Sequence, residues 1–363
     1  MVEWKKLGDV CTFNRGRTIT AKEAVEGSVP VIAGGQAPSY YHNEANRSGE
    51  SITVAGSGAY AGFVIYWNQP IFVSDAFTVD PDKSLLHKYV FQWLKMNQQR
   101  IFETQKGAGV PHVHGKDIAG FVIPIPPLSE QTRIVGILDT FTAAIENLKQ
   151  QIAERRKQYE YYRDKLLDLE GKEGVEMKKI SEVAKNYTGL TYKPENVSET
   201  GTLVLRSSNI DEDSLVFNDN VFVQMEISER AKAKENDILI CVRNGSKRLV
   251  GKAAVINRES EGMAFGAFMT VLRAFAINYK YLFFVWQSDK VKVQYKGDEA
   301  MPIAQITSKD FQRIVIPVPS PKEQSRIVSI LDTFEASIAN LEAQLMERKK
   351  QYEYYRNKLL TFE

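Results

Sequence analysis

The feature that most constrains this chain is a long stretch that occurs twice. Residues 130–170 read EQTRIVGILDTFTAAIENLKQQIAERRKQYEYYRDKLLDLE, and residues 323–363 read EQSRIVSILDTFEASIANLEAQLMERKKQYEYYRNKLLTFE. Aligned without a gap, roughly two-thirds of the positions are identical, which marks an internal repeat. Apolar residues recur at alternating spacings of three and four. They are Leu138, Phe141, Ile145, Leu148, Ile152, Tyr159, Tyr162, Leu166 and Leu169 in the first copy. The second copy has Leu331, Phe334, Ile338, Leu341, Leu345, Tyr352, Tyr355, Leu359 and Phe362, and each copy has one charged interruption, Arg155 or Arg348. A seam of that length with charges between predicts two long helices that pair as a coiled coil. Ser320-Pro321-Lys322-Glu323 opens the second as a capping box with proline at the first helical position.

Each copy follows a domain-sized segment, giving boundaries of 1–128, 129–170, 171–319 and 320–363. In the first segment, Val29–Ile32, Ser51–Ala55, Phe63–Tyr66 and Ile71–Val73 read as short strands separated by glycine-rich turns. Leu85–Phe102 reads as a helix with Tyr89, Val90, Trp93, Leu94 and Ile101 on one face, and Phe121–Ile125 as a strand. The second segment repeats this plan in degenerate form. Met177–Val183 matches Trp4–Val10, Asn186–Gly189 matches Phe13–Gly16, and Asp237–Cys241 matches the run from Ser51. Gly266-Ala267-Phe268 matches Asp75-Ala76-Phe77, Tyr281–Trp286 the helix around Trp93, and Ala300–Ile303 the stretch Gly109–His112. The expected fold class is α/β (α+β): two similar globular domains joined by two long helices. Short linkers leave the helices an antiparallel pairing, with a pseudo-two-fold relation between the halves.

A formal net charge of +2 neither demands nor excludes nucleic acid. The N-terminus lacks an apolar signal region and no run is long enough to span a membrane, so a cytoplasmic protein without a membrane partner is expected. Cys11 and Cys241 lie far apart without metal spacing and read as small buried hydrophobes. Gly56–Gly62 fits no dinucleotide or P-loop spacing and reads as a turn or a loop of close backbone approach. His112 and His114 lack a third ligand, which disfavours metal. Glu170-Gly171-Lys172 lies in a linker and reads as solvated charge. A methyltransferase would need a glycine-rich cofactor loop after a strand and an Asn/Asp-Pro-Pro-Tyr motif. Neither is present, so the chain is expected to be non-catalytic, with no cofactor.

Local charge points to DNA. Arg230, Lys232, Lys234, Arg243, Lys247, Arg248, Lys252 and Arg258 are opposed within their stretch by Glu235 and Asp237. In the loop Arg243–Arg248, arginine suits guanine edges, asparagine suits adenine edges, and the lysine suits phosphate. The candidate contacts in this half are Arg206, Asn209, Arg243, Asn244, Lys247, Arg248 and Lys252. Those in the first half are Arg15, Arg17, Lys22, Arg47, Ser57, Tyr60, Lys106, His112 and His114. The pairs Tyr161-Tyr162 and Tyr354-Tyr355 sit on the coiled-coil pattern, so core packing is expected there rather than base stacking.

The strand end Pro126-Pro127, the helix starts Glu130-Gln131-Thr132-Arg133-Ile134-Val135 and Glu323-Gln324-Ser325-Arg326-Ile327-Val328, and the two dissimilar domains together resemble the specificity subunit of type I restriction-modification enzymes. The resemblance covers the whole chain. It implies two target recognition domains, each reading one half of a bipartite duplex DNA sequence, with the helices as spacer. It also implies two methyltransferase (modification) subunits as partners, and restriction subunits beside them. The competing reading is a coiled-coil adaptor joining two protein-binding domains. Salt-dependent DNA binding separates the two, since phosphate contacts release counterions.

Overall fold

The computed structural model describes residues 2–107, 109–295 and 305–362. The chain divides into two compact units, residues 1–151 with 341–363, and residues 152–340. In the first unit, a four-stranded antiparallel sheet has the order Cys11–Arg15, Ala76–Pro81, Glu50–Ala55, Val64–Asn68. In the second, the same sheet is built from Ala184–Thr188, Met269–Ala274, Ile238–Cys241 and Ala253–Val255. Each unit adds a smaller sheet containing one parallel pair, Val31 with Phe72 in the first and Val204 with Ala264 in the second. Each is closed by a strand pair joining its start to its end, Glu3–Lys6 with Val122–Ile125 and Glu176–Lys179 with Val315–Val318. Antiparallel sheets beside segregated helices make the class α+β.

The expected strands at Val29–Ile32 and around Ser51–Ala55 form, while those at Phe63 and Ile71 begin one residue later, at Val64 and Phe72. The expected helix Leu85–Phe102 is two, His87–Met96 and Gln98–Phe102. Asn97 divides them, its side-chain amide donating back to the Trp93 carbonyl at 2.9 Å. The face holds across the break, with Tyr89, Val90, Trp93, Leu94 and Ile101 all buried. Both cysteines are free and buried.

The long helices run Leu128–Leu167 and Pro321–Thr361, 40 and 41 residues. The first ends short of the expected residue 170, although Leu169 still enters the core of the second unit. The boundary between units falls inside both helices, so each unit holds the start of one and the end of the other. Within each unit the two pieces run antiparallel, as the short linkers require. In the first, Phe141 stacks on Tyr355 at 5.3 Å, and Ile134 and Leu138 share a core with Leu360. In the second, Phe334 stacks on Tyr162 at 5.4 Å, and Leu166 and Leu167 pack with Ile327 and Leu331.

The charged interruptions also have a place. The Arg348 guanidinium lies 5.8 Å from the Phe141 ring centre and that of Arg155 5.9 Å from Phe334, so each cation covers an aromatic face on the opposite helix. The tyrosine pairs divide. Tyr162 and Tyr355 stack on the seam, whereas Tyr161 and Tyr354 point into solvent, which corrects the expectation that both members pack.

Hydrogen bonds fix how the two units correspond. Gly16 donates to the Ala76 carbonyl and Gly189 to that of Met269, so Met269 stands where Ala76 does. Phe268 therefore matches Asp75, two positions away from the match with Phe77 expected from sequence. The segment 300–303, expected to replace Gly109–His112, lies outside the described residues. The counterpart of His112 is Gln305: His112 bridges to Ser57, and Gln305 bridges to Arg243.

Candidate nucleic-acid interface

In each four-stranded sheet, two strands end and two begin at one edge of the fold. In the first unit this end is made by Arg15, Ala76, Ala55 and Val64, and in the second by Thr188, Met269, Cys241 and Ala253. The opposite end leads to the long helix. Past Pro81, the backbone of Ser84 and Leu86 bonds to Gln131, and past Ala274, Asn278 bonds to Gln324. The turns at the free end are drawn tight by glycine. A Cβ on Gly16 would fall far inside contact distance of the Ser74 carbonyl oxygen, and one on Gly189 would meet that of Gly266.

In the first unit, the free end gathers most of the candidates. Arg15 and Arg17 are exposed on either side of Gly16, and Lys22 is exposed in the turn that follows. The Arg17 guanidinium lies 5.1 Å from the Phe72 ring centre and 3.7 Å from Glu44. Ser57, Lys106 and His112 meet through backbone bridges, and the rings of His112 and His114 stack at 6.3 Å. Tyr60 projects from the same turn. Lys106 pairs with Asp117 at 2.5 Å. Partial burial acts to raise the Asp117 carboxyl, but the Lys106 ammonium and the His114 backbone N–H outweigh it and hold the group below the usual carboxylate range. Ser57 donates its hydroxyl to Asp75. Arg47 is different. Its guanidinium donates to Thr78 Oγ1 and to the carbonyls of Asn14, Arg15 and Asn46, so it braces the Arg15 turn from behind.

In the second unit, Arg243–Arg248 forms the turn between the strands ending at Cys241 and beginning at Ala253, with Arg243, Lys247 and Arg248 exposed. The Arg243 guanidinium lies 5.3 Å from the ring centre of exposed Phe268. Asn244 shapes the loop. Its side-chain oxygen accepts from the Ser246 N–H at 2.9 Å, and its amide donates to Ser207 at 3.1 Å. Asn209 is a correction. It has no exposed surface and spends its side chain on the Arg206 N–H and the Val216 carbonyl, so it holds a loop and cannot reach a base. Arg206 is committed to Asp219 at 2.7 Å. Lys252 is half-buried and faces Asp211 at 3.5 Å.

Two features escaped the sequence reading. Phe268 stands beside Arg243, a proximity that only strand pairing creates. The glutamines of the repeated Glu-Gln helix start, Gln131 and Gln324, are buried anchors of helix to domain. Their recurrence in both copies was the available signal. Among the described residues no group of three or more His, Cys, Asp or Glu is placed to hold a metal ion. Among the same residues no helix is long and apolar enough to cross a membrane.

Comparison with known proteins sets this geometry in a family. Residues 1–155 and 172–348 match the family described as the type I restriction modification DNA specificity domain. The EcoR124I/EcoR124II specificity subunit of Escherichia coli is 32% identical over 308 residues, covering 78% of this chain and 72% of that protein. A putative type I restriction enzyme specificity subunit of Haemophilus influenzae is 26% identical over 386 residues, covering 99% of this chain and 96% of that one. Among solved structures, the S subunit of a type I restriction-modification system from M. genitalium aligns at a TM-score of 0.62 with 18% identity, covering 100% of this chain and 97% of that one.

Proposed function

Because the chain belongs to the type I restriction-modification DNA specificity family, we propose that it is the sequence-reading subunit of such a system, with each unit reading one half of a bipartite duplex target. One observation carries this reading. The two units build the same sheet end with the same backbone bonds and then equip it differently. Ser57, His112 and His114 stand in the first where Arg243, Gln305 and Thr307 stand in the second. A shared scaffold with divergent tips suits two half-sites of different sequence, since base edges are told apart by donor and acceptor pattern. The exposed cations beside these tips, Arg15, Arg17 and Lys22 in one unit and Lys247 and Arg248 in the other, supply sequence-independent attraction to phosphate.

On this reading the chemistry belongs to partners. Two methyltransferase subunits are held by the two near-identical helices, restriction subunits join them, and the chain itself makes and breaks no bonds. The assembly works in the cytoplasm on duplex DNA. The test replaces residues 177–319 by the matching segment of a relative and maps the modified bases in cells that also carry the methyltransferase subunit. One half of the recognised sequence should change and the other persist. If both halves change together, the units are not independent readers.

A further inference from the structure

We infer that Phe268 is a platform that positions the Arg243 guanidinium for a guanine edge in the half-site read by the second unit, an inference that rests on the DNA-reading function proposed above. The two residues are held side by side by backbone before their side chains contribute anything. Val242 and Arg243 both donate their N–H groups to the Phe268 carbonyl, at 2.9 and 3.3 Å. The guanidinium carbon then lies 5.3 Å from the ring centre. Phe268 is 56% exposed and joins none of the hydrophobic clusters of its unit, so the ring is not there to build the core.

A single exposed aromatic residue requires no explanation by itself. The other unit supplies one. There the matching position is Asp75, whose carbonyl accepts the Gly56 N–H at 3.1 Å and whose carboxylate accepts the hydroxyl of Ser57. Ser57 and Arg243 match each other through their bridges to His112 and Gln305. In both units, the residue just before the inner strand grips the side chain at the tip of the neighbouring turn. The grip is a hydrogen bond in one and a ring face in the other.

The chemistry of the second grip selects its use. A free arginine at a loop tip loses rotamer freedom when it docks on a base, and a side chain already laid on a ring has lost part of that freedom before DNA arrives. A ring contact of this kind uses none of the five N–H donors of the guanidinium fork. That fork matches the O6 and N7 acceptors of guanine in the major groove. Lys247 and Arg248 on the same turn suit phosphate as exposed charges.

The experiment uses the full chain with its methyltransferase subunits, titrated with the selected target duplex and with duplexes in which each G·C pair of the second half-site is replaced in turn. Phe268→Ala should lose part of the discrimination at one G·C pair, within the roughly five- to a hundredfold that a whole bidentate contact supplies. Arg243→Ala should lose it at the same pair. Phe268→Leu, which keeps apolar bulk without a ring face, should behave as the alanine variant, and Phe268→Tyr should restore discrimination. The dependence on salt should not change with any Phe268 variant, because no charge is removed. Normal discrimination by Phe268→Ala and Phe268→Leu, beside a loss in Arg243→Ala, would overturn the platform and leave the reading function standing. Equal weakening on every duplex by Arg243→Ala, with a shallower salt slope, would make Arg243 a phosphate contact and overturn the guanine assignment. A parent protein without sequence preference would overturn the reading function itself.

Discussion

Gln131 accepts the backbone N–H of Leu86 at 2.9 Å through its buried side-chain oxygen, and so ties the first turn of a long helix to the sheet it follows. Its amide also donates to the carbonyls of Ser84 and Pro126, at 2.8 and 2.9 Å. Gln324 repeats the arrangement with Asn278 and Pro319, both at 2.9 Å. Each unit also has an ion pair across the same junction, Lys88 with Asp139 and Lys280 with Asp332. The near-identical helices thus carry the attachment to the domains as well as the seam. Gln131→Ala would leave buried polar groups unpaired at a cost of about 1–3 kcal/mol. Gln324→Ala should cost less, because it breaks fewer bonds. Chemical denaturation, with hydrogen exchange to locate the loss, checks both.

The tight turns at the free sheet ends predict a second pair of effects. Gly16→Ala and Gly189→Ala each force a Cβ against a backbone carbonyl that cannot swing aside. Overpacking of this kind costs about 1–3 kcal/mol. Gly16→Ala should impair recognition of the first half-site and Gly189→Ala of the second, read as lost discrimination in a binding selection. An unchanged selection by both variants would separate these turns from recognition.

A pH effect is expected in the second unit. Burial raises the Glu335 carboxyl and nearby Asp332 adds to this, while the Tyr159 hydroxyl and the Lys280 ammonium pull the other way. The folded state therefore holds this proton more tightly than the unfolded chain does. Stability falls as pH rises through the window between the ordinary carboxylate value and the raised folded one. Glu335→Gln keeps an acceptor for Tyr159 and removes the buried charge. The variant should melt above the parent at neutral pH, and the gap should close as pH falls into the ordinary carboxylate range. A variant less stable than the parent at neutral pH would show that the Tyr159 bond to a charged acceptor outweighs burial.

The helices also predict the spacing of the target. If they set the gap between half-sites, one heptad added to each, near Leu148 and Leu341, preserves the seam and lengthens each helix by about 10 Å. DNA rises about 3.4 Å per base pair, so the gap should grow by about three base pairs. It should also turn the second half-site by roughly a quarter turn, which lowers affinity. The same half-site sequences with a longer gap are expected from binding-site selection. Recovery of the original gap at full affinity would exclude the helices as the ruler.

Most of the architecture was legible in the sequence. The repeat, its seam and the capping box predict the two helices, because a helix depends on residues three and four apart. The duplicated plan of the domains was legible too, since Asp237–Cys241 aligns with Ser51–Ala55 in register. What the sequence left open depends on loop and strand contacts that residue type does not reveal. Asn209 and Arg206 carry the residue types of base readers, and only the fold commits them to Val216 and Asp219. Phe268 and Arg243 are 25 residues apart, and strand pairing alone sets one against the other. The match of Phe268 to Asp75 rather than Phe77 was beyond alignment by residue type, because backbone hydrogen bonds set register without regard to the side chains they carry. The sequence by itself determined two domains, two helices and their pairing; the tertiary structure decided which polar side chains are spent inside each unit and which remain at the free end of its sheet.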